Sequence, residues 1–139
     1  MNLKTWRKSL NKVEQEMALK HFKLSEFDSP DSKGSGKNMT RDFLKKLDRA
    51  RDIAKIPFKI TSGFRTPQHN ERLIKQGYKA SANSSHLKGC AADIVCKDSG
   101  TRQKIVNGLI QAGFTRIGIA DTFIHCDTDK DKTDAIWLY

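Results

Sequence analysis

Two short apolar runs, each interrupted by polar side chains at alternate positions, constrain the fold of this 139-residue chain most strongly. Residues 91–96 and 123–127 each predict a β-strand. Side chains alternate between the two faces of a strand, so Asp93, His125 and Asp127 lie on one face. The apolar residues of both runs share the opposite, buried face: Ile94, Cys96, Ile124 and Cys126. If the two strands are neighbours, the polar face carries a compact group of metal ligands.

A second histidine precedes the first of these strands. His86 lies in a loop rich in Ser and Asn, and Gly89 allows the backbone to turn tightly before the strand begins. Two imidazoles and a carboxylate are the ligands of a catalytic zinc ion whose fourth position is left for water. Each residue alone is more typical of an ordinary surface position, and only the combination favours a site. We therefore predict one zinc ion per chain, bound by His86, Asp93 and His125.

The length and the cysteine content limit what that metal does. A chain of 139 residues forms one domain that buries roughly two thirds of its unfolded surface without metals or disulfides. A zinc ion is therefore expected to be functional rather than structural. Three cysteines cannot all pair, and no C-x-x-C motif is present, so neither a disulfide framework nor a zinc ribbon is indicated. Free thiols are expected at Cys90, Cys96 and Cys126.

The formal net charge of +10 attracts polyanions, whether nucleic acid, anionic lipid or the acidic polymers of bacterial envelopes. Lys and Arg are dispersed, and no nucleic-acid-binding motif is visible, so no specific nucleic-acid partner is expected. No apolar run is long enough to span a membrane, and the N-terminus lacks the apolar core of a secretory signal. We expect a protein made in the cytoplasm, and if it acts on a cell wall, another component must release it.

Apolar periodicity divides the chain into an N-terminal helix over residues 1–20 and a domain over residues 21–139. The helix has a narrow apolar seam of Leu3, Trp6, Leu10, Val13 and Met17. The seam is too short for a coiled coil, and we expect it to pack on the domain. A dimer contact or a wall-targeting arm is the alternative, and the protein is expected to be a monomer.

Within the domain, residues 28–38 predict an exposed loop. A helix capped by Thr40 and ended by Pro57 is expected to bury Phe43, Leu44, Leu47, Ala50 and Ala54. A short helix opens at Thr66 and Pro67, and a third is capped by Thr101 and closed by Gly113. Further strands are expected at 58–61, 116–120, 122–127 and 136–139, with a hairpin around residues 120–121. The mixed order favours an α+β fold with a small, mainly antiparallel sheet flanked by helices.

Three segments together resemble a known family. Ser-Gly-Phe-Arg-Thr-Pro at 62–67, Ser-His-Leu-Lys-Gly-Cys-Ala-Ala-Asp at 85–93 and Phe-Ile-His-Cys-Asp at 123–127 follow in that order. This pattern resembles the D-alanyl-D-alanine carboxypeptidase-like zinc peptidases. That family includes phage L-alanyl-D-glutamate endolysins and VanX-type dipeptidases, and it shares its fold with the hedgehog signalling domain. The similarity runs from about Phe22 to the end of the chain and leaves out the N-terminal helix.

The resemblance implies that His86, Asp93 and His125 bind one zinc ion and that Arg65 binds substrate. A planar guanidinium suits a peptide carboxylate because it donates two parallel hydrogen bonds. Ser85, beside the first ligand, either hydrogen-bonds within the site or caps the turn.

A peptidase of this kind also needs a residue that takes a proton from the attacking water, and here the sequence departs from better-known members of the family. Asp121 lies four residues before His125, a span of about 13 Å along an ideal strand, so it reaches the water only if the chain bends over the metal. Asp127 lies two residues after, about 7 Å away and on the same face. It is the alternative base, or an acceptor that orients a ligand imidazole. We favour Asp121 and expect His69 and His21 to lie outside the catalytic machinery.

These observations predict a zinc peptidase that hydrolyses a bond in peptidoglycan stem peptides. The resemblance covers both the D-Ala-D-Ala carboxypeptidase and the L-Ala-D-Glu endopeptidase type, and a phage or prophage endolysin is expected. The alternative is a non-catalytic metal-containing module that binds cell wall or protein. A basic nucleic-acid binder without zinc is a weaker third hypothesis.

Overall fold

Helices and strands occur in mixed order in the computed structural model, which describes residues 18–78 and 80–139. The helices in these ranges are α1 (Arg41–Ala54), α2 (Pro67–Lys75) and α3 (Ser99–Gln111). The strands are β1 (Ile60–Ser62), β2 (Ala91–Val95), β3 (Arg116–Ile119), β4 (Phe123–Asp127) and β5 (Ala135–Leu138). Short 3-10 helices cover Leu24–Phe27, Ser35–Asn38 and Ser85–Lys88. The predicted α+β class is confirmed.

The five strands form one sheet in the order β1-β2-β4-β3-β5. Each neighbouring pair is antiparallel except β3 and β5, which are parallel, so the predicted mainly antiparallel sheet is confirmed. The predicted hairpin joins β3 to β4, where the Ala120 backbone N–H donates to the Phe123 carbonyl at 3.0 Å. In the β2–β4 pair, Asp93 lies directly opposite His125. The register therefore places the two candidate ligands side by side.

One face of the sheet is covered by α1 and α3, which pack against each other. All five residues predicted for the buried face of α1 are buried, and the four predicted for the buried face of β2 and β4 are fully buried. Gly108 in α3 permits the close approach of the helices, since a Cβ there would lie 2.6 Å from the Ala50 carbonyl oxygen. The apolar core thus lies entirely on one side of β2 and β4 and leaves the other side open for polar residues.

The helix ends follow local hydrogen-bonding chemistry, with two differences from the sequence prediction. α1 ends before Pro57, at Lys55 in the left-handed conformation with φ 59°. The cap of α3 is Asp98 and not Thr101: the Asp98 carboxylate accepts hydrogen bonds from the Thr101 backbone N–H and hydroxyl, both at 2.8 Å. A carboxylate is also favoured there by the helix dipole. The predicted Thr66 cap and Pro67 start of α2 are confirmed.

The loop over residues 28–38 is less exposed than predicted. Ser29 and Ser35 are buried, and the Ser29 backbone N–H donates to the Ser35 hydroxyl at 2.8 Å. The Asp28 carboxylate accepts from the backbone N–H groups of Gly34 and Gly36. A Cβ at Gly36 would lie 2.0 Å from the Leu24 carbonyl oxygen, so only glycine allows this packing. Polar composition predicted exposure here, but the polar groups satisfy one another inside a folded loop.

Most of the predicted N-terminal helix, over residues 1–17, lies outside the described residues. Residues 18–20, at its expected end, are not helical. No helix in the described ranges is both long and apolar enough to cross a bilayer. The three cysteines are free, as predicted, and Cys90 is buried along with the two that were expected to be.

Candidate metal centre

The three predicted metal ligands come together on the open face of the sheet. Asp93 and His125 are paired across β2 and β4, and His86 reaches them from the 3-10 helix Ser85–Lys88. Gly89 ends that helix with φ 70°, and a Cβ there would lie 2.2 Å from the Asn38 carbonyl oxygen. The tight turn that brings His86 back to the strand therefore requires glycine.

The distances within this group suit one small cation. One ligand atom from each of His86, Asp93 and His125 lies within 4.8 Å of the other two, and all three residues are buried. Asp93 Oδ1 is 3.3 Å from His86 Nε2 and 2.9 Å from His125 Nδ1. Ligand atoms around a tetrahedral zinc ion lie about 3.3 Å apart. The spacing is therefore close to that of a filled site.

Hydrogen bonds on the far side of each imidazole fix which nitrogen faces inward. His86 Nδ1 lies 2.7 Å from the Gly63 carbonyl oxygen, which can only accept, so Nδ1 carries the proton. His125 Nε2 lies 2.7 Å from Asp127 Oδ2 and donates to it. In the neutral imidazoles, His86 Nε2 and His125 Nδ1 then present lone pairs to the Asp93 carboxylate. Three electron-pair donors then face one another, an arrangement that either a bound metal ion or a proton on His125 Nδ1 stabilises.

The charges of these groups are set by burial and by one another. Burial raises the pKa of Asp93, but the His86 and His125 imidazoles outweigh it and hold this pKa well below its usual range. Burial lowers the pKa of His86 and keeps it neutral. Burial also opposes the charge on His125, but hydrogen bonds to Asp127 and Asp93 raise its pKa overall. A proton on His125 therefore competes with a metal ion for the same nitrogen.

Arg65 lies behind Asp93 and is itself largely buried. Its Nη2 is 3.5 Å from Asp93 Oδ2, Nε donates to the Ser62 hydroxyl at 3.0 Å, and Nη1 donates to Asn70 Oδ1 at 3.3 Å. These contacts use three of the five guanidinium N–H groups, which leaves two for another acceptor. Arg65 thus holds Asp93 in place and also lines the cavity that contains the three candidate ligands.

Of the two acids considered as the base, Asp127 already accepts hydrogen bonds from three groups. Besides His125, it accepts from Arg116 Nε at 2.7 Å and from the Asp129 backbone N–H at 3.0 Å. Burial raises its pKa, but these donors lower it overall, so the carboxylate is ionised and oriented. Asp121 is exposed in the β3–β4 turn.

Ser85 lines the same cavity, and its hydroxyl takes part in a network of polar side chains. The hydroxyl donates to Asp129 Oδ2 at 2.8 Å and accepts from Lys132 Nζ at 2.9 Å. Lys88 Nζ is also 2.9 Å from Asp129 Oδ1. Sequence reasoning missed Asp129 and Lys132, although the alternation of Asp127, Asp129 and Asp131 after the last strand was a visible signal.

Trp137 forms an aromatic wall beside His125 and was also missed. Its ring lies 5.5 Å from the His125 ring, and the Arg116 guanidinium lies 4.8 Å from the Trp137 centroid. A Cβ at Gly118 would lie 2.7 Å from the indole, so only glycine lets the ring lie flat against β3. The contact depends on β5 pairing with β3, which no local sequence pattern indicates.

Two adjoining cavities surround this centre. One of about 190 Å³ is bordered by the three candidate ligands, Asp127, Ser85 and Trp137, among others. The second, of about 620 Å³, is bordered by Asp121 and His69. The two cavities share Arg65, Ala80, Asp93, Phe123 and Tyr139. These two adjoining cavities form the cleft that passes the candidate ligands. His21 lies elsewhere, paired with Asp52 at 2.8 Å.

The model of the family described as Peptidase M15 matches residues 15–127, a range that contains all three candidate ligands. The chain belongs to the peptidase M15 family. No curated protein matches the sequence. Among solved structures, the fold is similar to that of the L-Ala D-Glu endopeptidase ChiX of Serratia marcescens, with a TM-score of 0.52 and 18% identity. The match covers 75% of this chain and 76% of that one. The peptidase fold predicted from the three motifs is confirmed.

Proposed function

We propose that this M15 family member is a zinc-dependent peptidase that hydrolyses an amide bond in peptidoglycan stem peptides. One zinc ion per chain would be held by His86, Asp93 and His125. The observation that carries the proposal is the inward-facing lone-pair set, in which Gly63 and Asp127 fix both imidazoles. A zinc ion with three protein ligands acts as a Lewis acid toward a carbonyl and activates water for attack.

Three surrounding residues orient the candidate ligands or the substrate. Asp127 orients His125 and increases its basicity as a ligand, because it accepts the Nε2 proton. Arg65 orients Asp93 and offers its two remaining N–H groups to a substrate carboxylate. Ser85 anchors the 3-10 helix that carries His86, through its bond to Asp129.

We assign proton transfer to Asp121. Asp127 already accepts from three groups, whereas Asp121 has no hydrogen bond or ion pair among the described residues and borders the second cavity, which Asp93 also borders. Its carboxylate would take a proton from the attacking water and pass it to the leaving amine, which balances the hydrolysis.

The substrate assignment is supported by membership of the M15 family, by the cleft and by the similarity of the fold to an L-Ala D-Glu endopeptidase. Stem peptides carry free carboxylates, which suit the cationic side chains of Arg65 and Lys132 at the cleft. Both D-Ala-D-Ala and L-Ala-D-Glu bonds are retained as candidates, and the similarity to an L-Ala D-Glu endopeptidase supports the second.

Two measurements on the purified full-length chain test the proposal. Elemental analysis should give one zinc per chain, and mass spectrometry of digested muropeptides should show one new cleavage site. Bound zinc with no cleavage of peptidoglycan or of free stem peptides would indicate the non-catalytic binding module. Cleavage that persists after complete removal of metal would contradict the metal mechanism.

A further inference from the structure

A second recessed region lies outside the metal cleft and is strongly basic. A cavity of about 690 Å³ is bordered by Lys45, Lys46 and Arg49 of α1 and by Lys130 of the loop that follows β4. We name these four side chains the cationic track. Lys45 and Arg49 are one helical turn apart, a like-charge spacing that costs a helix some stability. The helix therefore retains an unfavourable charge pair on this face.

The charges of the track are not neutralised locally. Two of the three carboxylates that border the cavity, Asp129 and Asp131, pair with Lys88 at 2.9 and 3.1 Å. Among the described residues, none of the four track cations has an ion pair. Asp42 is the remaining carboxylate at the cavity. A positive concave surface is thus left to attract an external anion.

The track continues toward the metal cleft. A cavity of about 440 Å³ shares Lys46 and Lys130 with the first one and is also bordered by Lys132 and Arg116. Lys132 and Arg116 in turn border the cavity that contains the candidate metal ligands. The three recesses are therefore neighbours that share cationic side chains, and a flexible polymer can contact the track while a neighbouring peptide lies in the cleft.

The chemistry of the lining indicates the kind of polymer. Single-stranded nucleic acids are bound by stacking bases on exposed aromatic rings. Phe114 is the one ring among the described residues that border these two cavities, and it is buried beneath Lys46, whose Nζ is 5.7 Å from the ring centroid. Lysine ammonium groups act as point charges that suit phosphate. Thr40 and Thr128 add hydroxyl groups at the rim.

We propose that the cationic track binds a linear polymer of phosphodiesters without bases. Its placement in a cell wall rests on the proposed peptidase function, but the binding itself does not. Binding along the track would hold the enzyme on an anionic wall and bring peptide substrates to the adjacent cleft. Part of the high net charge would then serve to bind polymer at one defined surface.

The test compares two variants of equal net charge in the full-length protein. Lys45→Gln, Lys46→Gln, Arg49→Gln and Lys130→Gln together neutralise the track. The control replaces four exposed lysines that border none of the three cavities, Lys33, Lys37, Lys59 and Lys97, by Gln. Binding of purified poly(glycerol phosphate) is measured by calorimetry at low and moderate salt.

We expect the track variant to bind at least roughly tenfold more weakly and with a smaller salt dependence, and the control to stay within about threefold of the original protein. Hydrolysis of a small soluble stem peptide should be unchanged in both. Equal losses in the two variants would overturn the proposal, because net charge alone would then explain binding. Tighter binding of charge-matched single-stranded DNA or of hyaluronate would overturn the choice of a base-free phosphate polymer.

Thermal unfolding controls for loss of structure, and the double variant Lys45→Gln and Lys130→Gln replaces the fourfold variant if that one does not fold. Because binding is measured without turnover, a failed peptidase assay leaves this test intact. Conversely, a track that binds nothing leaves the metal centre and its peptidase activity unaffected.

Discussion

The two faces of β2 and β4 are built from alternate residues of the same strands, yet different interactions hold each face together. On the core face, Ile94 and Ile124 are fully buried among apolar side chains. On the metal face, Asp93 and His125 are also buried, but each is held by hydrogen bonds and charges. Removal of a buried apolar side chain leaves a cavity that lowers the free energy of unfolding, whereas removal of one partner from the polar network changes the arrangement of the remaining ligand atoms. The core face should therefore govern stability, and the metal face should govern chemistry.

Adjacent residues on opposite faces give the sharpest test of this difference. His125→Ala should abolish stoichiometric zinc and turnover while leaving the fold intact, because Arg65 and Arg116 still neutralise Asp93 and Asp127. Ile124→Ala should instead lower the free energy of unfolding by about 2–5 kcal/mol and retain zinc in the folded fraction. Elemental analysis and chemical denaturation measure both. If His125→Ala, His86→Ala and Asp93→Ala all unfold, the metal is structural, and the two faces do not differ in their effect on stability.

Asp121→Asn should keep bound zinc and stability but reduce kcat by about 10²–10⁴-fold, because a proton acceptor is removed without loss of a ligand. Steady-state kinetics with a defined stem peptide measure the effect. Near-normal turnover in this variant would exclude Asp121 as the base.

Asp127→Asn should weaken zinc binding or activity by about 10–100-fold, because the His125 imidazole loses the acceptor that orients it. Competition with a chelator of known affinity measures this loss. If zinc binding is unchanged while turnover is lost, Asp127 and not Asp121 transfers the proton.

Gly118→Ala should have a smaller effect, because its Cβ would displace the Trp137 ring from the wall beside His125. We expect a stability loss of about 1–3 kcal/mol and a modest loss of turnover with zinc retained. Trp137 fluorescence in a Trp6→Phe background reports the displacement. Gly100→Ala is the matched control, since the nearest atom to its Cβ would lie 3.4 Å away. Identical fluorescence spectra for the two variants would show that the Trp137 ring does not pack against Gly118.

The smallest effect concerns pH. Burial raises the pKa of Asp129, but Lys88 and Ser85 lower it overall to about 2 from its usual value of 3.8. The unfolded chain therefore binds more protons than the folded one between these values, and the stabilising contribution is lost as pH falls through that range. Thermal unfolding of Asp129→Asn should lack this part of the acid slope. A slope unchanged from that of the original protein would show that Asp129 is not coupled to folding.

The metal face was predictable because it depends on local rules. Strand alternation places Asp93, His125 and Asp127 together, and the turn at Gly89 brings His86 to them. Two short apolar runs and one glycine were therefore sufficient to predict that these side chains lie together, although no local rule identified the base.

The remaining parts of the site depend on long-range pairing. Trp137 lies in the site because β5 pairs in parallel with β3. Lys132 lies at one side of the cleft because its Nζ donates a hydrogen bond to the Asn83 carbonyl oxygen at 2.6 Å. The two residues are 49 positions apart in the sequence. The burial of the serines in residues 28–38 was also missed, because composition shows that a residue is polar but not which group it will hydrogen-bond.

The position of β5 at the sheet edge has a consequence for how the cleft admits substrate. β5 has one neighbouring strand, whereas β2 and β4 each have two, so separating a single strand pair frees the Trp137 side of the cleft. Opening of this kind requires far less free energy than global unfolding. Amide hydrogen exchange should therefore be faster at Ala135–Leu138 than at Phe123–Asp127, and the indole would act as a gate that moves while the ligand-bearing strands stay fixed.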